Sequence, residues 1–145
     1  MASRIPKEVK KEQIDAWIAE GVAGRLKVAL FKSASNCNTD GTSLYSGCTN
    51  EVAASGTYVA GGALLSVSAW GAGSGYVDTT KAMMDATDSQ WTTVTWGAGS
   101  APQFAVVYNT ITSKIRFVYD FLAEKVVTGG TFIIQWNPSG LITIT

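Results

Sequence analysis

From Gly24 to its end the chain is written in short runs of alternating apolar residues, broken by Gly, Asn, Ser or Pro. No other feature limits the fold so severely. Between Arg25 and Phe31, Leu26, Val28 and Leu30 fall on one side and Lys27, Ala29 and Phe31 on the other. That is the period of two that a strand imposes. Similar runs follow at 57–59, 63–70, 76–79, 91–96, 104–108, 115–121, 131–136 and 141–145. Eight or nine strands of this length, with turn signals in most gaps, predict an all-β fold, mainly antiparallel, as a sandwich or barrel. The stretch 33–50 reads as a long polar loop, and 80–90 as a loop or one helical turn.

One segment departs from this pattern. Residues 6–20 read as a single helix, with Pro6 suited to the first helical position. Ile14, Trp17 and Ile18 recur at i, i+3 and i+4 as a short apolar stripe, and Gly21 and Gly24 offer stop signals. The expected organisation is therefore an N-terminal helical arm over 1–24 and a β-sandwich domain over 25–145. A lone helix beside a β body must lay its stripe on something. Ile14, Trp17 and Ile18 are accordingly candidate interface residues, on this chain's own sandwich or on a neighbouring subunit.

Charge is segregated in the same way. Seven of the eleven Lys and Arg lie in the first 32 residues, as do four of the eleven acids. The rest of the chain carries only Lys81, Lys114, Arg116 and Lys125 against seven acids. The net charge is zero and no basic stripe exists, which argues against nucleic acid as a partner. No run reaches 18 apolar residues, so no membrane span is expected. The charged N-terminus lacks the apolar stretch of a secretory signal, so synthesis in a cytoplasm is expected.

The chain contains no histidine. Serine- and cysteine-type triads lose their usual base, and histidine-bearing zinc sites are excluded. No Walker or dinucleotide-binding glycine motif is present. A glycosidase needs only two carboxylates, and Asp40, Glu51, Asp78, Asp85, Asp88, Asp120 and Glu124 are available. Their spacing singles out no pair. The expectation is a protein without catalytic residues, cofactor or metal.

Cys37 and Cys48 lie in the polar loop. Bonded, they would close a loop of about a dozen residues, worth roughly 3 kcal/mol in the chain-entropy model. In a reducing cytoplasm they would remain thiols. They form a candidate disulfide, with both states open.

The aromatic residues divide in two. Phe104, Phe117, Tyr119, Phe132 and Trp136 sit inside alternating runs and read as core. Trp70 and Trp96 each open a Trp-Gly-Ala-Gly-Ser segment, 70–74 and 96–100. They read either as strand-end caps on the core or as paired surface anchors able to stack on a sugar ring.

Residues 27–31, Asn50-Glu51-Val52, the stretch 55–62, Gly75-Tyr76-Val77-Asp78, Tyr108-Asn109, Asp120-Phe121, Gly130-Thr131-Phe132 and the closing 141–144 follow one another in a familiar order. Over roughly residues 24–145 the sequence resembles a family of small virion structural proteins of tailed bacteriophages. Its members are labelled head decoration (cement), tail-fibre or structural proteins. The resemblance implies a non-enzymatic shell component with a jelly-roll-like β-sandwich. It implies a capsid decoration protein on the outer surface of the virion, binding across major capsid subunits and associating with itself as a homodimer or homotrimer. A tail, tail-fibre or head–tail adaptor component is the alternative role. A carbohydrate-binding module at the virion surface, using Trp70 and Trp96, is another.

Overall fold

The computed structural model describes residues 7–68, 76–77, 82–136 and 142–144. Among the described residues one α-helix, α1 (Lys7–Val22), precedes ten strands. These are β1 (Leu26–Lys32), β2 (Ala63–Leu64), β3 (Val67–Ser68), β4 (Tyr76–Val77), β5 (Ala82–Ala86), β6 (Ser89–Trp96), β7 (Pro102–Asn109), β8 (Ile115–Asp120), β9 (Val127–Ile134) and β10 (Ile142–Ile144). Every strand pairing is antiparallel, so the protein is mainly antiparallel β with one helix, as the alternation predicts. The chain divides into two compact units. One comprises 1–24, 66–88 and 135–145; the other comprises 25–65 and 89–134. The segments 66–88 and 135–145 thus fall in the unit that holds the helix.

In the larger unit four strands run in the order β2-β1-β7-β8. The register sets Val28 beside Val107 and Leu30 beside Ala105 on one face. Ala29 beside Val106 and Phe31 beside Phe104 occupy the other. All eight side chains are buried. A strand apolar on both faces needs cover on both, and the polar 33–50 loop supplies it on the second face. Cys37, Tyr45 and Cys48 pack there against Ala29, Phe31, Phe104, Val106 and Tyr108. Asn36 holds the loop folded back: its amide donates to the Gly47 carbonyl at 3.0 Å, and its Oδ1 accepts from the Thr49 N–H at 2.8 Å.

β6 and β9 form a separate two-stranded ribbon in this unit. Its register shifts between Trp91 and Val94 and again before Trp96, and Thr93 has φ +53°. Such bulges re-aim side chains. Trp91, Trp96 and Phe132 meet here, with Tyr58 and Phe121 edge-on around them.

In the smaller unit β5 pairs with β10, β3 and β4. Residues 82–86 are thus a strand where a loop or helical turn is expected. Pairing with three neighbouring strands overrides a weak local signal. Within the run expected over 63–70, residues 63–68 hold two short strands, β2 and β3, one in each unit, while 69–70 lie outside the described residues; the run expected at 57–59 is a turn. Helix α1 lies against β3, β4 and β5. It comes close enough that a Cβ on Gly21 would sit 2.6 Å from the Val67 Cβ. No helix among the described residues is long and apolar enough to cross a membrane.

Candidate functional site

Three tyrosines converge on one carboxylate in the larger unit. Asn50 takes φ +60° at the end of the long loop, and an isolated bridge to Phe31 sets Glu51 against β1. Tyr45 Oη donates to Glu51 Oε2 at 2.7 Å. Tyr58 Oη and the Gly61 N–H both donate to Glu51 Oε1, each at 2.7 Å. Tyr58 Oη also accepts the Leu30 N–H at 2.9 Å, within the first sheet. Tyr108 Oη donates to the Gly61 carbonyl at 2.8 Å, and its ring stacks on that of Tyr45 with centroids 4.0 Å apart and planes 7° apart.

This buckle fastens the turn after Tyr58 to β1. Gly62 shows why the turn is written Gly61-Gly62. At φ +72°, a Cβ there would lie 2.6 Å from the Val28 carbonyl carbon. Only glycine allows this backbone to approach β1 so closely.

The electrostatics follow from burial. Desolvation, then the hydrogen bond to Glu51, pushes the Tyr45 and Tyr58 hydroxyls well above the ordinary phenol range. Desolvation and the nearby Glu51 charge raise Tyr108 as well. The three phenols stay protonated and donate. Both oxygens of Glu51 accept from the chain's own donors, so the cluster holds a turn in place. Among the described residues no group of three or more His, Cys, Asp or Glu is arranged to hold a metal.

The expected interface residues are placed elsewhere. Ile14 is wholly buried and Ile18 nearly so, on a helix that lies against β3, β4 and β5. Ile14 and Ile18 are therefore spent inside their own unit and offer no free docking face to a second subunit. Trp17 is half-buried, with its indole Nε1 enclosed and without a hydrogen-bond partner among the described residues. Trp96 is also no surface anchor. It is 2% exposed, its Nε1 donates to the Ala53 carbonyl at 2.9 Å, and its ring meets Tyr58 and Phe132 edge-on. The register shifts of β6 turn this indole inward. Trp70 lies outside the described residues. Of the core aromatics, Phe104, Phe132 and Trp136 are buried, and Phe117 and Tyr119 are half-buried.

Cys37 and Cys48 are both free thiols within one apolar cluster. Desolvation raises both, Cys48 to about 11, and the Cys48 thiol faces the Leu44 carbonyl at 3.6 Å.

The alternating pattern gives no sign of the apolar side chains that stand outward on turns. Leu122 is 87% exposed at φ +67°, a conformation that disfavours a non-glycine residue. Its segment is braced from several sides. The Leu122 N–H donates to Asp120 Oδ1, Phe121 to the Gln103 carbonyl and Lys125 to the Pro102 carbonyl. Glu124 accepts from the Ser33 hydroxyl and from the Gly99 N–H, tying the loop to the 97–100 turn. Ile111, 70% exposed, is presented likewise: Asn109 Oδ1 accepts the N–H groups of Ile111 and Thr112. An apolar side chain in a turn carries no periodicity, so only the flanking Asn109 and Asp120 signal these two sites in the sequence.

Comparison of the chain with family models, curated proteins and solved structures returned no match.

Proposed function

We propose that this protein is a bacteriophage capsid decoration protein that works by adhesion, binding across major capsid subunits on the outer surface of the virion after synthesis in the bacterial cytoplasm. The observation that carries this reading is the rigid outward presentation of Leu122 and Ile111 on braced turns. A large side chain held in a strained backbone conformation is retained where the surroundings fix it, and such strain concentrates at functional surfaces. An apolar knob already ordered before contact loses little entropy on binding. Repetition over a symmetric shell multiplies a modest affinity for each site. The lack of histidine and the fully occupied Glu51 carboxylate support a role without chemistry.

The knobs replace the helix stripe as the proposed contact, because Ile14 and Ile18 are buried. Burial of Trp96 removes one of the two rings on which sugar binding rested. The test uses purified heads lacking the protein, titrated with wild type, Ile111→Asp and Leu122→Asp, and analysed by co-sedimentation. Saturable binding in hundreds of copies, weakened by either substitution, is expected. Saturation at three, six or twelve copies would assign the protein to the tail or neck instead. Undiminished binding by both variants would overturn the contact.

A further inference from the structure

We propose that Cys37 and Cys48 are a redox latch, open as two thiols in a reducing compartment and closed as one disulfide within the chain where a small-molecule disulfide oxidant reaches them. This inference concerns the isolated protein and does not depend on the capsid reading. Spacing alone leaves both states of the pair open; the folded loop shows how the chain holds the two cysteines together. Its legs are zipped side by side. The Val52 N–H donates to the Leu30 carbonyl and the Lys32 N–H to the Asn50 carbonyl. Further out, the Asn50 amide donates to the Ala34 carbonyl at 3.0 Å. Where the zipper ends, the Asn36 side chain grips the residues on both sides of Cys48, Gly47 and Thr49. Cys37 follows Asn36 directly, so the two cysteines sit at the same level of the two legs. Both side chains pack on one apolar cluster, around Phe31 and Tyr108, and therefore share one side of the loop. A charge on Cys37 adds to the desolvation that raises the Cys48 thiol, as close sulfurs require. A disulfide asks for converging side chains with Cα atoms about 4.4–6.8 Å apart, and legs held in this way bring the pair to that approach.

Exposure assigns the order of events. Cys48 is half-buried and Cys37 is 2% exposed, so Cys48 meets the oxidant first. Its thiolate attacks one sulfur of a glutathione-type disulfide; that S–S bond breaks and one small thiolate leaves. The Cys37 thiolate then attacks the Cys48 sulfur and displaces the second small thiolate. Two protein thiols are oxidised to one disulfide, and the small disulfide is reduced to two thiols that take up the two protons. The weak contact of the Cys48 thiol with the Leu44 carbonyl, at 3.6 Å, gives way to the covalent bond. The bond fastens the base of the tip, residues 38–47. That tip is pinned to the β7–β8 hairpin, where the Tyr45 N–H donates to the Ser113 carbonyl and the Ile115 N–H to the Ser43 carbonyl. It also carries Tyr45 to Glu51. Closing a ring of about a dozen residues removes freedom that the lifted tip would otherwise gain, so oxidation holds Tyr45 on its carboxylate.

The test starts from the full chain purified under reductant, which should carry two alkylatable thiols once denatured. After incubation with oxidised glutathione both should be lost to alkylation, and the mass of the intact chain should fall by two hydrogen atoms without a dimer on a non-reducing gel. Proteolysis of the denatured, oxidised chain before Asp40 parts Cys37 from Cys48, and the two peptides should stay joined until a reductant is added. In the Cys37→Ser variant Cys48 should instead retain glutathione. A further measurement compares the two states of the wild type and needs no substitution. The Tyr45 amide should exchange with solvent about tenfold or more slowly when oxidised, while amides of β6 and β9 change far less. Two thiols still alkylatable after the incubation, glutathione held on Cys48 of the wild type, a bond between copies, or Tyr45 exchange equal in the two states would overturn the proposal.

Discussion

Replacing Glu51 tests whether the tyrosine buckle holds the larger unit together. The carboxylate accepts three hydrogen bonds at 2.7 Å, from Tyr45, Tyr58 and Gly61. Bonds to a charged group contribute roughly 1.5–3 kcal/mol each, but members of one network do not add. Tyr45 can turn its hydroxyl to water; Tyr58 is wholly buried and the Gly61 N–H faces inward. Counting those two as orphaned, Glu51→Ala should cost about 3–5 kcal/mol. Glu51→Gln keeps one acceptor oxygen for Gly61, and its amide can donate to a tyrosine oxygen, so a loss of about 1–2 kcal/mol is expected. Tyr58→Phe removes both the bond to Glu51 and the acceptor of the Leu30 N–H, for about 2 kcal/mol. In urea titrations followed by tryptophan fluorescence, the Glu51→Gln and Tyr58→Phe double variant should cost less than the sum of the single ones, by about 1 kcal/mol. Glu51→Ala within about 0.5 kcal/mol of wild type, or strict additivity of the pair, would refute the reasoning.

Four further outcomes follow from single positions. Gly62→Ala drives a Cβ into the Val28 carbonyl at a φ of +72°, so loss of about 3 kcal/mol or failure to fold is expected, read from the yield of soluble protein and its melting curve. Leu122→Gly relieves the φ of +67° and should leave stability unchanged or raise it by up to about 1 kcal/mol in urea titration, while weakening binding to heads. Alkylation of native Cys48 should rise about tenfold per pH unit from about pH 8 to pH 10 without a plateau, because its pKa stands at about 11 against 9.0 for an ordinary thiol. Tyr58 is held protonated while its unfolded counterpart ionises near 10.0, so its contribution is complete below pH 10 and declines above it. The slope reaches about 1.4 kcal/mol per pH unit for that residue, and an alkaline denaturation curve that stays flat to pH 12 would contradict it.

The strands of the larger unit were legible because Leu26 to Phe31 and Phe104 to Tyr108 are short, mostly apolar runs, as burial on both faces requires, bounded by turn residues. Residues 82–86 were not. Their strand character comes from β3, β4 and β10, which are distant in sequence, and a five-residue run with Met83 and Met84 carries no period of its own. The apolar stripe of the helix is legible in the sequence, but the choice between its own chain and a neighbouring subunit is not: β3, β4 and β5, on which it lies, come after residues 25–65, which belong to the other unit. Trp96 shows a different limit. Its position at a strand end suggested either core or surface, and two register shifts within β6 decide which way the indole turns. Composition cannot report a register shift. The same holds for Glu51, whose sequence neighbours identify a turn but not the three donors gathered on it from 45, 58 and 61.

Glu51, Tyr58, Gly61, Gly62 and Tyr108 lie apart in the chain, yet the structure collects them into one fastening between a turn and β1. Here both oxygens of Glu51 face the chain's own donors, and the phenols around them are locked in the protonated form. On the adhesive role proposed above, contacts are to be sought at the margins, where side chains are ordered but unburied, as with Leu122 and Ile111 on braced turns. A rigid body makes those margins effective. A surface already fixed by the fold meets a neighbour without having to order itself first, so more of each contact's free energy remains as affinity.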